Sequence, residues 1–243
     1  MDNRPAPLPA SLPATQLKRR AAALAGILTG VSLSGSSSLL PLLVILLQAS
    51  RALATLLAGF ALVVLSLTWP AVFRADQRLL LAVNRHARRV IWMDRLMFVV
   101  TQIGNGGFGL LLALGLALHG WGLLGVMMVG AVLTLWPLVE VLKWFTACQR
   151  PFTHLPHLNI IGWRERSLSF PSGHTAQAFL LAVLLDQGMA LGGLFRLGLY
   201  ALALLVGLSR MYIGMHFPRD VAAGALIGSA WGLLVYRMAL SLF

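Results

Sequence analysis

The run from Trp121 to Pro151, WGLLGVMMVGAVLTLWPLVEVLKWFTACQRP, decides the fold and raises the first question about function. Residues 121–142 form an apolar run of the length, about 20 residues, that a helix needs to cross a bilayer. Two cations then follow, Lys143 and Arg150, where a lipid-facing helix avoids charge. The rest of the chain has the same character: 58% of its 243 residues are hydrophobic, 11% are charged and mean hydropathy is +0.83. Further apolar runs lie near 52–73, 96–118, 175–191, 197–213 and 221–240, with another at 21–49. The expected fold is all-α: a polytopic transmembrane helical bundle of six core spans plus an extra N-terminal hydrophobic segment.

A net charge of +12 would suggest nucleic acid as the partner of a soluble domain. Here the cations cluster at the ends of apolar runs, where anionic headgroups lie, so the expected partners are membrane lipids and no nucleic acid. The single cysteine, Cys148, excludes an internal disulfide and a thiolate metal cluster, and reads as a small buried hydrophobe. Residues 1–20 are proline-rich and end in Lys18-Arg19-Arg20, the composition of a disordered tail with a basic stop at the membrane. Segment 21–49, broken by Ser34 to Ser38 and Pro41, fits either one long tilted span or a short helical hairpin. Residues 50–243 are expected to form the main membrane domain.

Between the runs at 52 and 96, Leu80, Val83, Ala87, Val90 and Ile91 fall at helical spacing opposite Arg78, Asn84, Arg85, Arg88 and Arg89. This predicts an amphipathic helix lying in the interface. Gly104-Asn105-Gly106-Gly107-Phe108-Gly109 matches a dinucleotide-binding pattern formally, but no strand precedes it and it lies inside a membrane run. Close helix packing accounts for it better.

Three polar clusters stand out. In the first, Lys143 and Arg150 are seven residues apart; on a continuous helix that is two turns to within about 20°, which predicts one shared face, with Pro151 as the stop. The second, Phe170-Pro171-Ser172-Gly173-His174, precedes an apolar run and predicts a helix start whose free N–H groups favour anions. The third runs from Ser209 to Asp220 between the last two apolar runs; its His216 and Asp220 are four apart, which can bring a carboxylate to an imidazole nitrogen. The first cluster ends a span, the second begins the next, and the third ends the one after. Alternation across the bilayer therefore puts all three on one face. Cations, two histidines, a helix N-terminus and an aspartate would converge there without a cysteine or carboxylate cluster for a metal, as suits a phosphoryl group.

These residues resemble the type 2 phosphatidic acid phosphatase (PAP2) family. Its three-part signature, K-x6-RP, PSGH and SR-x5-H-x3-D, is matched at Lys143 to Pro151, Pro171 to His174 and Ser209 to Asp220 without substitution. The motifs cover roughly 143–220; the spans from 52 onward fit the resemblance and 1–49 lies outside it. The resemblance implies His216 as nucleophile and phosphohistidine carrier, Asp220 as its orienting carboxylate and His174 as general acid. It implies Lys143, Arg150, Arg210, Ser172 and the Gly173 N–H as the phosphate cradle, with no metal or other cofactor. The implied activity is hydrolysis of a lipid phosphate or diphosphate, with undecaprenyl diphosphate, phosphatidylglycerophosphate, phosphatidic acid and lipid A phosphates as candidates. A lipid phosphotransferase using the same intermediate and a non-enzymatic transporter are the alternatives.

Sidedness has two readings. The arginines at 74–95 share the side of the three clusters, which counts as cytoplasmic by the positive-inside rule. The resemblance implies a multi-pass protein of the bacterial inner membrane with its active site facing the periplasm. Of the remaining polar residues, His154 and His157 lack a third ligand and read as loop residues. Arg164-Glu165-Arg166 reads either as a solvated loop or as a rim for a headgroup, Glu140 is placed to pair with Lys143, and Asp186 falls near a helix end.

Overall fold

The computed structural model describes residues 51–88 and 90–242, so the expectations for the tail at 1–20 and for segment 21–49 fall outside the described residues. Within them the chain is all-helical: α1 Arg51–Ser66, α2 Pro70–Asn84, α3 Ile91–Gln102, α4 Gly106–Leu118, α5 Gly122–Thr146, a short α6 Pro151–His154, α7 Gly173–Met189, α8 Gly193–Tyr212 and α9 Pro218–Leu242. Three helices, α5, α8 and α9, are long and apolar enough to cross a bilayer singly. The pairs α1–α2 and α3–α4 meet the same condition only as bent pairs, which raises the number to five. The 17-residue α7 sits at the short end of the spanning range, about 17–25 residues.

Two expected spans are corrected by these breaks. The run at 52–73 ends as a helix at Ser66 and turns by 98° into α2. Trp69 is extended and Pro70, which has no N–H to contribute, takes the first helical position. α2 is amphipathic: Phe73 and Leu80 are buried while Arg74 and Arg78 are exposed. Asn84, expected on the polar face, is instead buried and ties the helix end inward, donating to the carbonyls of Tyr212 (2.7 Å) and Asn159 (2.8 Å). Asp76 is also buried, paired with Arg219, whose Nη1 donates to the Ser66 carbonyl at 2.7 Å. A buried ion pair thus holds the α1–α2 bend against the start of α9.

The run at 96–118 is likewise not one helix but two, bent by 61° at Ile103 to Asn105. Asn105 caps α4 by accepting from the Gly107 N–H at 2.9 Å. Gly104 is needed because a Cβ there would lie 2.5 Å from the His174 carbonyl oxygen. Hydropathy registers the composition of such a segment and is blind to its direction.

α7 is the central helix. Ten of its residues are buried, and it contributes to three separate apolar clusters, through Leu180 with α4, α5 and α9, through Ala178 with α3 and α8, and through Val183 with α1 and α9. Its closest partner is α9, where Gly224, Gly228 and Gly232 recur every fourth residue. A Cβ at Gly228 would lie 2.1 Å from the Ala176 carbonyl oxygen, and one at Gly224 would lie 2.5 Å from that of Ser172. Without water to drive apolar surfaces together, small residues that let two backbones touch are the main source of helix association in lipid. Large side chains such as Leu62, Leu111, Val126 and Leu194 face outward as an apolar exterior. Tight α7–α9 contact fixes the start of α7 against the start of α9, which is where the polar clusters meet.

Candidate active site

The three clusters converge at one end of the bundle, but the first does so by a route that spacing alone did not predict. α5 ends at Thr146 and Ala147 is left-handed (φ 49°), its N–H donating to the Lys143 carbonyl at 2.8 Å. Residues 147–150 are non-helical, and Pro151 is the first residue of α6 instead of the stop of α5. Lys143 and Arg150 therefore do not share a helical face; they are brought together by a chain reversal. Its geometry is held from the second cluster, by Ser169 N–H to the Cys148 carbonyl (2.9 Å) and Thr146 Oγ1 to the Phe170 carbonyl (3.1 Å).

Arg150 is the hub. It is 3% exposed. Its Nε donates to the Ser167 carbonyl (2.8 Å), Nη2 to Ser167 Oγ (2.9 Å) and Glu165 Oε2 (2.6 Å), and Nη1 to the Met215 carbonyl (3.2 Å). Nη1 also lies 3.4 Å from His216 Nε2. Arg210, equally buried, donates from Nη1 to Thr101 Oγ1 (3.1 Å) and pairs through Nη2 with Glu165, while its Nε has no hydrogen-bond partner. Lys143 reaches the site from the last turn of α5 and pairs with Glu140 at 2.8 Å, as expected. Glu165, 34% exposed, bridges Arg150 and Arg210 as a phosphate oxygen would. Burial works to raise its pKa, but the charges of Arg210 and Arg150 outweigh burial and hold it at about 2, so it is an anion throughout the neutral range.

His216 sits in the α8–α9 connection, 1% exposed, after a left-handed Gly214 (φ 81°) whose Cβ would strike the Asn159 carbonyl oxygen at 2.7 Å. Its Nδ1 lies 3.4 Å from Asp220 Oδ2, which also accepts from Ser169 Oγ (2.5 Å) and the Phe217 N–H (2.9 Å). Arginine can only donate, so Nε2, facing Arg150, carries the lone pair and Nδ1 carries the proton toward Asp220. Burial, then the charges of Arg150, Arg210 and Lys143, hold the imidazole well below the usual histidine range, so it is neutral. Pro218 opens α9 and leaves His216 outside the helix; the four-residue spacing to Asp220 in the first turn still brings the two together.

The second cluster starts α7 at Gly173. Ser172 Oγ accepts from the Thr175 hydroxyl (2.9 Å) and N–H (3.4 Å), so here it caps α7, whereas Gly173 and His174 line the cavity with Lys143, Glu165 and His216. That cavity, about 420 Å³, continues along Leu110, Val132, Leu133 and Trp136 of α4 and α5. Because Leu133 and Trp136 are also exposed on the outer surface, the cavity reaches the lipid-facing side of the bundle. On the loop side Arg150, Glu165 and Ser167 line a second recess of about 550 Å³ with Arg164 and Arg166.

Glu165, Ser167 and Ser169 also meet these groups, in roles that the three sequence motifs do not announce. Ser167 and Ser169 lie in the non-helical segment before Pro171, Ser167 against Arg150 and Ser169 against Asp220. His154 packs edge-on against Phe73 at 5.8 Å, His157 is exposed, and Asp186 is buried and paired with Arg196 at 2.7 Å. Among the described residues no group of three His, Cys, Asp or Glu side chains is arranged to hold a metal ion.

Among the described residues the fold is a helical bundle with several helices long and apolar enough to cross a membrane, and the three polar clusters meet at one end of it. The chain belongs to the PAP2 superfamily, whose profile matches residues 119–242. It is similar to the bacitracin transport permease protein BcrC of Bacillus licheniformis (40% identity over 87 residues, 36% of this chain and 41% of that one). It is also similar to an undecaprenyl-diphosphatase of Sulfolobus acidocaldarius (34% over 94 residues, 37% of this chain and 43% of that one). These matches thus span about two fifths of each relative. Among solved structures, the transmembrane PAP2 type phosphatidylglycerolphosphate phosphatase of Bacillus subtilis superposes with a TM-score of 0.66 at 26% identity, covering 80% of this chain and 98% of that one.

Proposed function

We propose that this protein is a membrane-embedded lipid phosphate or diphosphate phosphatase working through a phosphohistidine. The observation that carries the reading is the continuity of one cavity, which has Lys143, His174 and His216 at its polar end and an apolar wall reaching the outer surface. A lipid can keep its tail in the bilayer while its phosphate enters the site. Nε2 of His216 attacks phosphorus, and Asp220, steadied by Ser169 and the Phe217 N–H, stabilises the imidazolium that forms. His174 protonates the departing oxygen, and Arg150, Arg210, Lys143 and the N-terminus of α7 hold the equatorial oxygens. Water then cleaves the P–N bond. A transport path calls for polar groups along the membrane depth; here the buried cations Lys143, Arg150, Arg210 and Arg219 gather at one end.

Candidate substrates are undecaprenyl diphosphate, phosphatidylglycerophosphate, phosphatidic acid and lipid A phosphates, and the proposed location is a bacterial inner membrane with the site facing the periplasm. The direct test is phosphate release from these four lipids by the purified protein in detergent, with and without chelator. Release from at least one, unaffected by chelator, is expected; folded protein inert toward all four would remove the proposal. The pH dependence follows from the neutral His216. Its activity is lost as pH falls through a pKa depressed below the ordinary histidine value, so the acid limb of kcat/KM should lie on the acid side of that value. The basic limb requires the proton on His174, which the bound phosphate must stabilise against the charges of Arg210, Arg150 and Lys143, and the two limbs belong to the interacting pair. An acid limb at or above the ordinary histidine value would contradict the assignment of His216.

A further inference from the structure

The same cavity has a second polar corner that the mechanism leaves unused. It is formed by Gly104, Asn105 and Gly106 at the α3–α4 break and by Gln177 of α7. Gln177 is 6% exposed, and its Nε2 has no hydrogen-bond partner. It stands three residues after His174, on the same helical face and about 4.5 Å deeper along the axis. Its amide packs on Gly109, where a Cβ would lie 2.6 Å from Nε2. Opposite it, the 13-residue α4 begins with Gly106 at the cavity wall. The first turn of a helix leaves N–H groups without intrahelical acceptors and is the positive end of its dipole. Asn105 Oδ1 takes the Gly107 N–H. The carboxylates lining the cavity, Glu140 and Glu165, are engaged by Lys143, Arg150 and Arg210.

We propose that the N-terminus of α4 and the Gln177 amide form a second oxyanion subsite that takes the leaving phosphate of a lipid diphosphate. The inference rests on the phosphatase reading and names its substrate class. With the terminal phosphorus in the arginine cradle, the bridging oxygen faces His174 and the inner phosphorus lies one atom beyond it, toward Gln177. His216 Nε2 forms the P–N bond, the bond from the terminal phosphorus to the bridging oxygen breaks, and that oxygen leaves with the electron pair and takes the His174 proton. The products are the lipid monophosphate, held briefly in the subsite, and, after water attacks phosphohistidine, orthophosphate. A monophosphate substrate has only its alcohol oxygen and first carbon in that corner and leaves the amide unmatched.

The test compares kcat/KM of the full chain in detergent for farnesyl diphosphate, farnesyl monophosphate and dioleoyl phosphatidic acid. Gln177→Leu is expected to lose about 10–100-fold on the diphosphate, the range for a hydrogen bond to a charged group. Gln177→Glu should lose more by repulsion, and both variants should change the other two substrates by less than about threefold. Equal losses on all three substrates, a loss confined to phosphatidic acid, or no loss would each overturn the subsite. Wild-type protein supplies an arm independent of any variant: methylenediphosphonate should inhibit at least about tenfold more tightly than orthophosphate, and equal inhibition counts against the subsite. Wild-type protein that released phosphate from none of the three would sink the phosphatase reading itself, and the subsite with it.

Discussion

His216→Ala is expected to lower kcat by about 10⁴-fold or more while leaving a folded, detergent-stable protein. The size of the effect follows from the geometry. Nε2 carries an uncharged lone pair facing Arg150, and among the described residues no other histidine is paired to a carboxylate. Folding should survive because Asp220 keeps its bonds from Ser169 and the Phe217 N–H when the imidazole is removed. The variant should also fail to accumulate an acid-labile phosphoprotein from labelled substrate. His174→Ala should still form that species with substrates whose leaving group needs little protonation, which separates the two imidazoles. Turnover within tenfold of wild type in His216→Ala would show that another group attacks phosphorus.

Arg150→Ala is expected to lower kcat/KM by roughly 10²–10³-fold, the loss seen when a preorganised donor to a developing oxyanion is removed. Arg150 also binds the Ser167 carbonyl and hydroxyl, Glu165 and the Met215 carbonyl, so thermal stability should fall in parallel. Two readouts separate the roles. Added guanidinium should restore part of the turnover without raising the melting temperature, and Arg150→Lys should recover little, because an ammonium cannot span the same set of acceptors. Near-normal kcat/KM in Arg150→Ala would reduce the residue to a structural brace.

The convergence of the three clusters was legible because chain order and alternation across the membrane leave no other arrangement. The means were less legible. Lys143 and Arg150 seemed to share a helix face, yet the left turn at Ala147 has no Gly or Asn to announce it and is imposed by contacts to residues 169 and 170. Arg164-Glu165-Arg166 reads in sequence either as a solvated loop or as a headgroup rim; only the tertiary fold shows Glu165 facing Arg150 and Arg210. The α3–α4 break did carry signals, an Asn cap and flanking glycines, but a window of apolar composition hides them. Asp76 is illegible in sequence for the opposite reason: its partner Arg219 lies 143 positions away, beyond the reach of any periodicity.

The bridge from Glu165 to both arginines alters how turnover must be understood. In the resting protein Arg150 and Arg210 already share an anion of their own, so in the proposed reaction a phosphate would enter by exchange and its measured affinity would be a difference between two anions. The same exchange would run in reverse after hydrolysis. A returning carboxylate would displace orthophosphate, so on the proposed mechanism inhibition by that product should be weak even though Arg150 and Arg210 are deeply buried.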